Sequence, residues 1–294
     1  MAIFFTGTDD MQAYQERFFR TNDGRQLYFR DYSNASSRVP VIGIPGLQTN
    51  SRAFEHIAPL MAKSRRVLCI DPRGRGRSDY DTDPENYTLK REAADVFQMA
   101  KEAGVARAVL FGLSRGGLSG LLLAAGANLA AGLILVDIGP EIDMAAMARF
   151  AQDVASFPNW GAAAEALKKG HGAWFPGWSD QKWHTWARMK YKEEDGRIVP
   201  DSDPKLTMRA GDANRAPTGR GKIDLWQAFR RLPRLPILVL RGEHSDVLSK
   251  QTVAMMIAIM PITVAVTIKG CGHLPLLDEP ESIAAIDSFL ERSC

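Results

Sequence analysis

Short apolar runs without strict alternation recur along the chain at 39–44, 67–70, 108–111, 133–136, 237–240 and 263–268. Continuous β-branched runs of this length predict strands buried on both faces, as a parallel sheet requires. Between them lie longer stretches with helical spacing at 51–63, 89–103, 115–130, 249–260 and 280–292. The last opens on Pro280, whose fixed φ and missing N–H suit a first helical turn. Ahead of all of these, 17–21 and 25–32 read as two strands around Asn22-Asp23-Gly24, where Asp-Gly tolerates the positive φ of a hairpin turn. This order predicts an α/β fold built on a doubly wound, mostly parallel eight-stranded sheet that starts with an antiparallel pair.

The alternation lapses between about Glu141 and Pro233, where amphipathic helical pieces alternate with Gly, Pro and Asp clusters and no buried strand is apparent. The expected organisation is therefore a core at 1–140, a helical insertion at 141–232, and a second part of the core at 233–294. The insertion holds all six tryptophans, Trp160, Trp174, Trp178, Trp183, Trp186 and Trp226. Two readings stand side by side. The rings build the insertion's own small core, since aromatics supply large buried area in small units, or some of them, with Trp160, Trp174, Trp178 and Trp183 as the candidates, line an apolar substrate pocket.

Composition narrows the class. With 294 residues, 45% of them apolar, the chain can bury a large core. Its 37 Lys and Arg against 34 Asp and Glu leave a net charge of only +3, which implies no general attraction to nucleic acid. Cys69, Cys271 and Cys294 are too few and too scattered for a disulfide framework or a metal-ligand spacing, so a reducing, cytoplasmic location is expected. The start, Met1-Ala2-Ile3-Phe4-Phe5, turns polar by Thr6 and lacks the pattern of a signal peptide, and no apolar run reaches membrane-spanning length. Gly219-Arg220-Gly221-Lys222 is followed by Ile223, without the hydroxyl and spacing of a phosphate-binding loop. No cofactor and no metal are expected.

Chemistry concentrates where the third apolar run meets a helix. Gly112-Leu113-Ser114-Arg115-Gly116 follows the strand at 108–111 and opens a helix of small residues. A serine on such a sharp turn is forced into a strained conformation that lifts its hydroxyl above the sheet, and the flanking glycines make room for the crossing backbone. The helix also points its N-terminal N–H groups and positive dipole end at any developing anion. Serine is a poor nucleophile unaided, so a base must lie within hydrogen-bond reach and a third group must orient that base.

Of five histidines only His273 lies in a loop after the last strand, flanked by Gly270 and Gly272. His56, His171, His184 and His244 are expected at surface or packing positions. For the acid, Asp246 in Arg241-Gly242-Glu243-His244-Ser245-Asp246 is favoured over its rival Asp137, which comes just after the run at 133–136. Asp71 is expected to stabilise the Arg73-Gly74-Arg75-Gly76-Arg77 turn. A tetrahedral oxyanion needs donors, here the backbone N–H groups of Arg115 and Leu47, the latter in the Pro45-Gly46-Leu47 loop. The side chain of Arg115 is expected in an internal ion pair or in solvent rather than on a substrate carboxylate.

Together, Pro45-Gly46, Asp71-Pro72-Arg73-Gly74-Arg75-Gly76-Arg77-Ser78, Gly112-Leu113-Ser114-Arg115-Gly116-Gly117, Arg241 to Asp246 and Gly272-His273 resemble the α/β-hydrolase family, in the right order across the whole core. Gly-Leu-Ser-x-Gly-Gly is similar to its carboxylesterases and enol-lactonases. The resemblance implies that the insertion is the family's variable cap and that the chain is a serine hydrolase. Such an enzyme cleaves a small, apolar carboxylic ester through an acyl-enzyme. A lactonase or a C–C bond hydrolase of aromatic degradation on the same triad is the alternative, and a non-catalytic small-molecule binding module a more distant one. Pro45 stands where many members carry His, and Leu47-Gln48-Thr49 replaces the longer Gly-rich loop of C–C hydrolases.

Overall fold

The computed structural model describes residues 14–143, 146, 155–206 and 223–293. The opening pentapeptide and Gly219 to Lys222 lie outside them. The main sheet takes in β1 (Gln15–Arg20), β2 (Gln26–Tyr32), β3 (Val41–Ile44), β4 (Val67–Asp71), β5 (Ala108–Leu113), β6 (Ala130–Val136), β9 (Ile237–Gly242) and β10 (Thr263–Ile268). Their spatial order is β1-β2-β4-β3-β5-β6-β9-β10. β1 and β2 pair antiparallel, as does β2 with β4, and every other pairing is parallel. All eight coincide with runs legible in the sequence. Every residue of β3 to β6 and of β9 is buried, which is why those runs are continuous rather than alternating.

Helices cover the sheet: α1 (Ala58–Ala62), α2 (Leu89–Glu102), α3 (Arg115–Gly126), α7 (Lys250–Ile259) and α8 (Pro280–Ser293). α2 carries a Thr88 N-cap whose hydroxyl accepts from Arg91 N, and α7 uses Ser249 in the same way on Thr252 N. The expected helix at 51–63 is broken. A 3₁₀ turn, Ser51–Phe54, is followed by the separate short α1, because Pro59 has no N–H to give and its ring clashes with the carbonyl four residues back.

Between β6 and β9 the described residues form α4 (Trp160–His171), α5 (Asp180–Lys190), the antiparallel pair β7 (Tyr191–Glu194) and β8 (Arg197–Pro200), and α6 (Leu225–Arg230). The hairpin adds two short, partly exposed strands to an insertion read as helical with no buried strand. Asp195 and Gly196 both adopt positive φ, 51° and 73°, and match a two-residue hairpin turn. The pair is short and half exposed, so it leaves no apolar run in the sequence.

Buried carboxylates fasten this segment to the core. Asp201 accepts from Asn50 Nδ2 at 2.9 Å and from Arg52 Nη2 at 2.7 Å. Arg52 also donates to the Arg188 and Tyr191 carbonyls. Asp203 accepts from the Tyr87 hydroxyl at 2.6 Å. At the other end of α5, Lys182 bonds Asp278 at 2.8 Å. Held at both ends, α5 lies beside the loops at the carboxyl ends of β3 and β10.

Candidate active site

Ser114 joins β5 to α3 with φ 47° and ψ −119°, a conformation that side-chain-bearing residues rarely adopt and that marks functional turns. The turn is possible because both flanking glycines are in contact with backbone. A Cβ on Gly116 would stand 2.1 Å from the Ile44 carbonyl oxygen, and one on Gly112 would stand 2.3 Å from Gly117 Cα. The turn is pinned by Ser114 N donating to Val136 O at 3.0 Å and Gly117 N donating to Ser114 O at 2.8 Å.

The hydroxyl meets His273, with Oγ and Nε2 2.7 Å apart. On the far side of the ring, Nδ1 lies 2.9 Å from Oδ2 of Asp137. The three side chains are all buried. The expectation for the acid is corrected here: the carboxylate bonded to the imidazole is that of Asp137, not Asp246. Register supplies the reason. Leu113 and Val136 are paired on adjacent parallel strands, so the next residues, Ser114 and Asp137, leave the sheet side by side. Asp137 has φ 51° and donates its N–H to Leu240 O at 2.7 Å. It is flanked by β9 and accepts from Gly242 N through Oδ1 at 2.8 Å. Asp246 stands four residues past the end of β9 and half-buried, where the loop turns its neighbour Ser245 inward.

The loop carrying His273 is organised around Glu279. Its carboxylate accepts from Leu276 N, Leu277 N and the Ser282 hydroxyl at 2.9, 3.1 and 2.8 Å. The Cys271 thiol lies 3.6 Å from the same group and is pushed up to about 12 by burial and by that carboxylate. His56 and His244 are exposed, His184 is half-buried, and His171 is buried against Trp186 with ring centroids 5.0 Å apart.

The expected oxyanion donors sit where the turn brings two loops together. Arg115 opens α3, so its N–H has no carbonyl one turn back to bond. The 45–49 loop is folded by Gly46 N donating to Thr49 Oγ1 at 2.9 Å, and a Cβ on Gly46 would lie 3.8 Å from Ser114 Cβ. Leu47 follows immediately. The Arg115 side chain turns away into the core, with Nε 2.9 Å from Glu92 Oε1 and Nη2 3.0 Å from Tyr87 O. Glu92 also receives Arg75 Nη2 at 2.5 Å and the Ser119 hydroxyl at 2.8 Å. Burial alone would raise the Glu92 carboxyl, but the guanidiniums of Arg115 and Arg75 outweigh it and hold the group down to about 2. Asp71 accepts from Arg77 N at 2.9 Å and Ser51 N at 2.7 Å, the turn-stabilising place expected of it.

A narrow apolar pocket of about 20 Å³ opens next to Ser114 and His273, lined among others by their chain neighbours Leu113 and Leu274, by Thr49 and Ala53 of the core and by Trp186 and Met189 of α5. The tryptophan expectation therefore changes. Trp183 and Trp178 stack with Phe175 and Trp186 in one aromatic cluster. Trp160 lies under the Arg188 guanidinium, and Trp174 packs against Gly272. Among the six tryptophans, it is Trp186 that stands in the lining of this pocket. Its three-residue offset from Trp183 puts both on one helix face, and both rings are buried. Helical periodicity identifies that face but not which ring reaches the core. Among the described residues no group of three or more His, Cys, Asp or Glu is placed to hold a metal ion, and no helix is long and apolar enough to cross a membrane.

Residues 41–286 match the model of the alpha/beta hydrolase family. A 3-hydroxybutyrate-oligomer hydrolase of Cupriavidus necator is 26% identical over 90% of this chain and 92% of its own. A 2-(acetamidomethylene)succinate hydrolase of Mesorhizobium japonicum is 25% identical over 84% and 86%. Among solved structures, an alpha/beta hydrolase from Novosphingobium aromaticivorans superposes with a TM-score of 0.88 at 39% identity, covering 96% of this chain and all of that one.

Proposed function

The chain belongs to the alpha/beta hydrolase family, and from that premise we propose that it is a serine hydrolase of small carboxylic esters with Ser114, His273 and Asp137 as its triad. The observation that carries the reading is the continuous hydrogen-bonded line from Ser114 Oγ through both nitrogens of His273 to Asp137. In the first step the Ser114 oxygen forms a bond to the ester carbonyl carbon while its proton passes to His273 Nε2. Asp137 holds Nδ1 protonated and stabilises the imidazolium. The oxyanion takes hydrogen bonds from the Leu47 and Arg115 amides. Collapse breaks the bond to the alcohol, which leaves with the proton from His273. Water then repeats the sequence on the acyl-enzyme, giving the acid and free Ser114.

Residues 141–232 act as the cap. Trp186 and Met189 bring apolar side chains to the pocket, which suits an apolar acyl or alcohol group. The hydrolase named for 3-hydroxybutyrate oligomers, similar along nearly the whole chain, favours an ester bond over a lactone or a C–C bond. Cys69 and Cys271 are buried free thiols, consistent with a cytoplasmic enzyme. The test is turnover of nitrophenyl esters of graded acyl length, beside lactones and ring-cleavage dienones. Ser114→Ala is expected to lower ester turnover by about 10³-fold or more. Near-normal turnover would remove the assignment.

A further inference from the structure

Asp137 is gripped by more than the histidine. Its Oδ2, the atom bonded to His273 Nδ1, also accepts from the Ser245 hydroxyl at 2.5 Å. That hydroxyl in turn accepts from Leu248 N at 3.1 Å and Val247 N at 3.3 Å. A hydroxyl has one proton and two lone pairs. With both lone pairs facing amide donors, the proton is committed to Asp137. The hydrogen bond therefore runs in one direction, from the Ser245 hydroxyl to the Asp137 carboxylate.

The loop that presents Ser245 is knotted from inside. Arg241, 7% exposed, donates to the carbonyls of Leu248, Gly242 and Ser245 at 2.7, 2.9 and 2.9 Å, and to that of Glu243 at 3.3 Å. Ser245 N closes back on Gly242 O at 3.1 Å. The hydroxyl thus arrives on a rigid turn rather than a mobile side chain, and the turn follows β9, whose Gly242 N holds the other oxygen of the same carboxylate.

We propose that Ser245 is a positioning residue of the relay, acting through Asp137. It holds the carboxylate turned so that Oδ2 faces His273 and takes up part of the charge of that oxygen through its hydrogen bond. The proposal rests on the triad reading above. Two consequences follow. Without the hydroxyl, more negative charge falls on His273, the imidazolium is stabilised, and the acid limb of the kcat/KM profile moves to higher pH. The carboxylate also loses its fixed orientation, and kcat falls by about 10- to 100-fold, the size of one hydrogen bond to a charged group. KM changes little, because Ser245 is not among the residues that line the pocket.

The experiment compares wild type, Ser245→Ala, Ser245→Thr and Asp137→Asn by kcat, KM, the pH dependence of kcat/KM and thermal stability. The expected result is a lowered kcat with a raised acid limb in Ser245→Ala, and recovery of the limb in Ser245→Thr, which keeps the hydroxyl. An acid limb that stays at the wild-type pH in folded Ser245→Ala overturns the proposal, even where stability has dropped. If Ser245→Ala does not fold, Ser245→Cys is read in its place, since a thiol is a weak donor of nearly the same shape, and an unmoved limb there overturns the proposal equally. Asp137→Asn separates the two failures. Retained turnover in that variant removes Asp137 as the acid, whereas its loss beside an unmoved Ser245→Ala profile removes Ser245 alone.

Discussion

Oδ2 of Asp137 stands 2.9 Å from Nδ1 of His273, although 136 residues separate them in the chain. The contact exists because β6 lies between β5 and β9, which puts the end of β6 beside the nucleophile. The carboxylate bonded to the imidazole thus comes from the strand next to Ser114 rather than from the loop after β9. Asp137→Asn is expected to lower kcat by about 10³- to 10⁴-fold with the fold retained, because the amide favours the wrong imidazole tautomer. Asp246→Asn retains most of its turnover. Steady-state kinetics on one ester decide this, and the reverse order of effects would return the role to Asp246.

Gly116 is where the nucleophile turn and the 45–49 loop touch. In Gly116→Ala the new methyl meets the Ile44 and Pro45 carbonyl oxygens at 2.1 and 2.4 Å, both of them backbone atoms that cannot swing aside. The strand and the donor loop must move apart, costing about 1–3 kcal/mol of stability. Turnover falls further than stability alone would dictate, since the expected oxyanion donor at Leu47 moves with its loop. Denaturant unfolding and kcat on the same preparation separate the two effects.

Trp183 and Trp186 are three residues apart on α5, and their roles divide. Trp186→Ala and Met189→Ala widen the pocket and are expected to shift preference toward longer or bulkier acyl groups. Trp183→Ala removes one ring of the aromatic cluster and is expected to cost about 3–5 kcal/mol, with the ranking of substrates unchanged. A panel of nitrophenyl esters beside melting curves reads both. A changed ranking in Trp183→Ala would show that the cluster shapes the pocket after all.

Glu92 joins Arg75 and Arg115 behind the nucleophile helix. Its folded pKa is held near 2, below the ordinary 4.5, so its ionised form adds stability that is fully present above about pH 4.5 and drains away as pH falls from there toward 2. Glu92→Gln leaves two guanidiniums without their carboxylate and is expected to cost about 3–5 kcal/mol at neutral pH. The gap between wild type and variant then narrows as the solution is acidified through that window. A gap that stays constant from pH 5 down to pH 2.5 would mean that Glu92 is not held ionised.

Much of this molecule is local in origin and therefore legible in one dimension. The β-branched runs of β3 to β6 and β9 announce their burial, whereas the similar run of β10 is an edge strand with its middle residues largely exposed. Gly112 and Gly116 announce a sharp turn around Ser114, and Gly270 and Gly272 announce the loop of His273. Each of those signals comes from the conformational limits of neighbouring residues. The hairpin of β7 and β8 was hidden because half-exposed strands carry no apolar run, although Asp195-Gly196 was there to be read. The broken helix after Ser51 could have been foreseen from Pro59.

What only the tertiary structure decided are choices among chemically equivalent side chains. Asp137 and Asp246 are both carboxylates at strand ends, and strand order alone tells which one reaches His273. Trp183 and Trp186 share a helix face, and the placement of α5 by Arg52, Asp201 and Lys182 selects which ring meets the pocket. Arg115 follows the nucleophile in sequence, yet Glu92, 23 residues away, draws its guanidinium into the core. Sequence patterns encode local backbone preference and burial. A hydrogen bond of 2.9 Å depends instead on how distant elements are stacked, and that information resides in the register and order of the sheet.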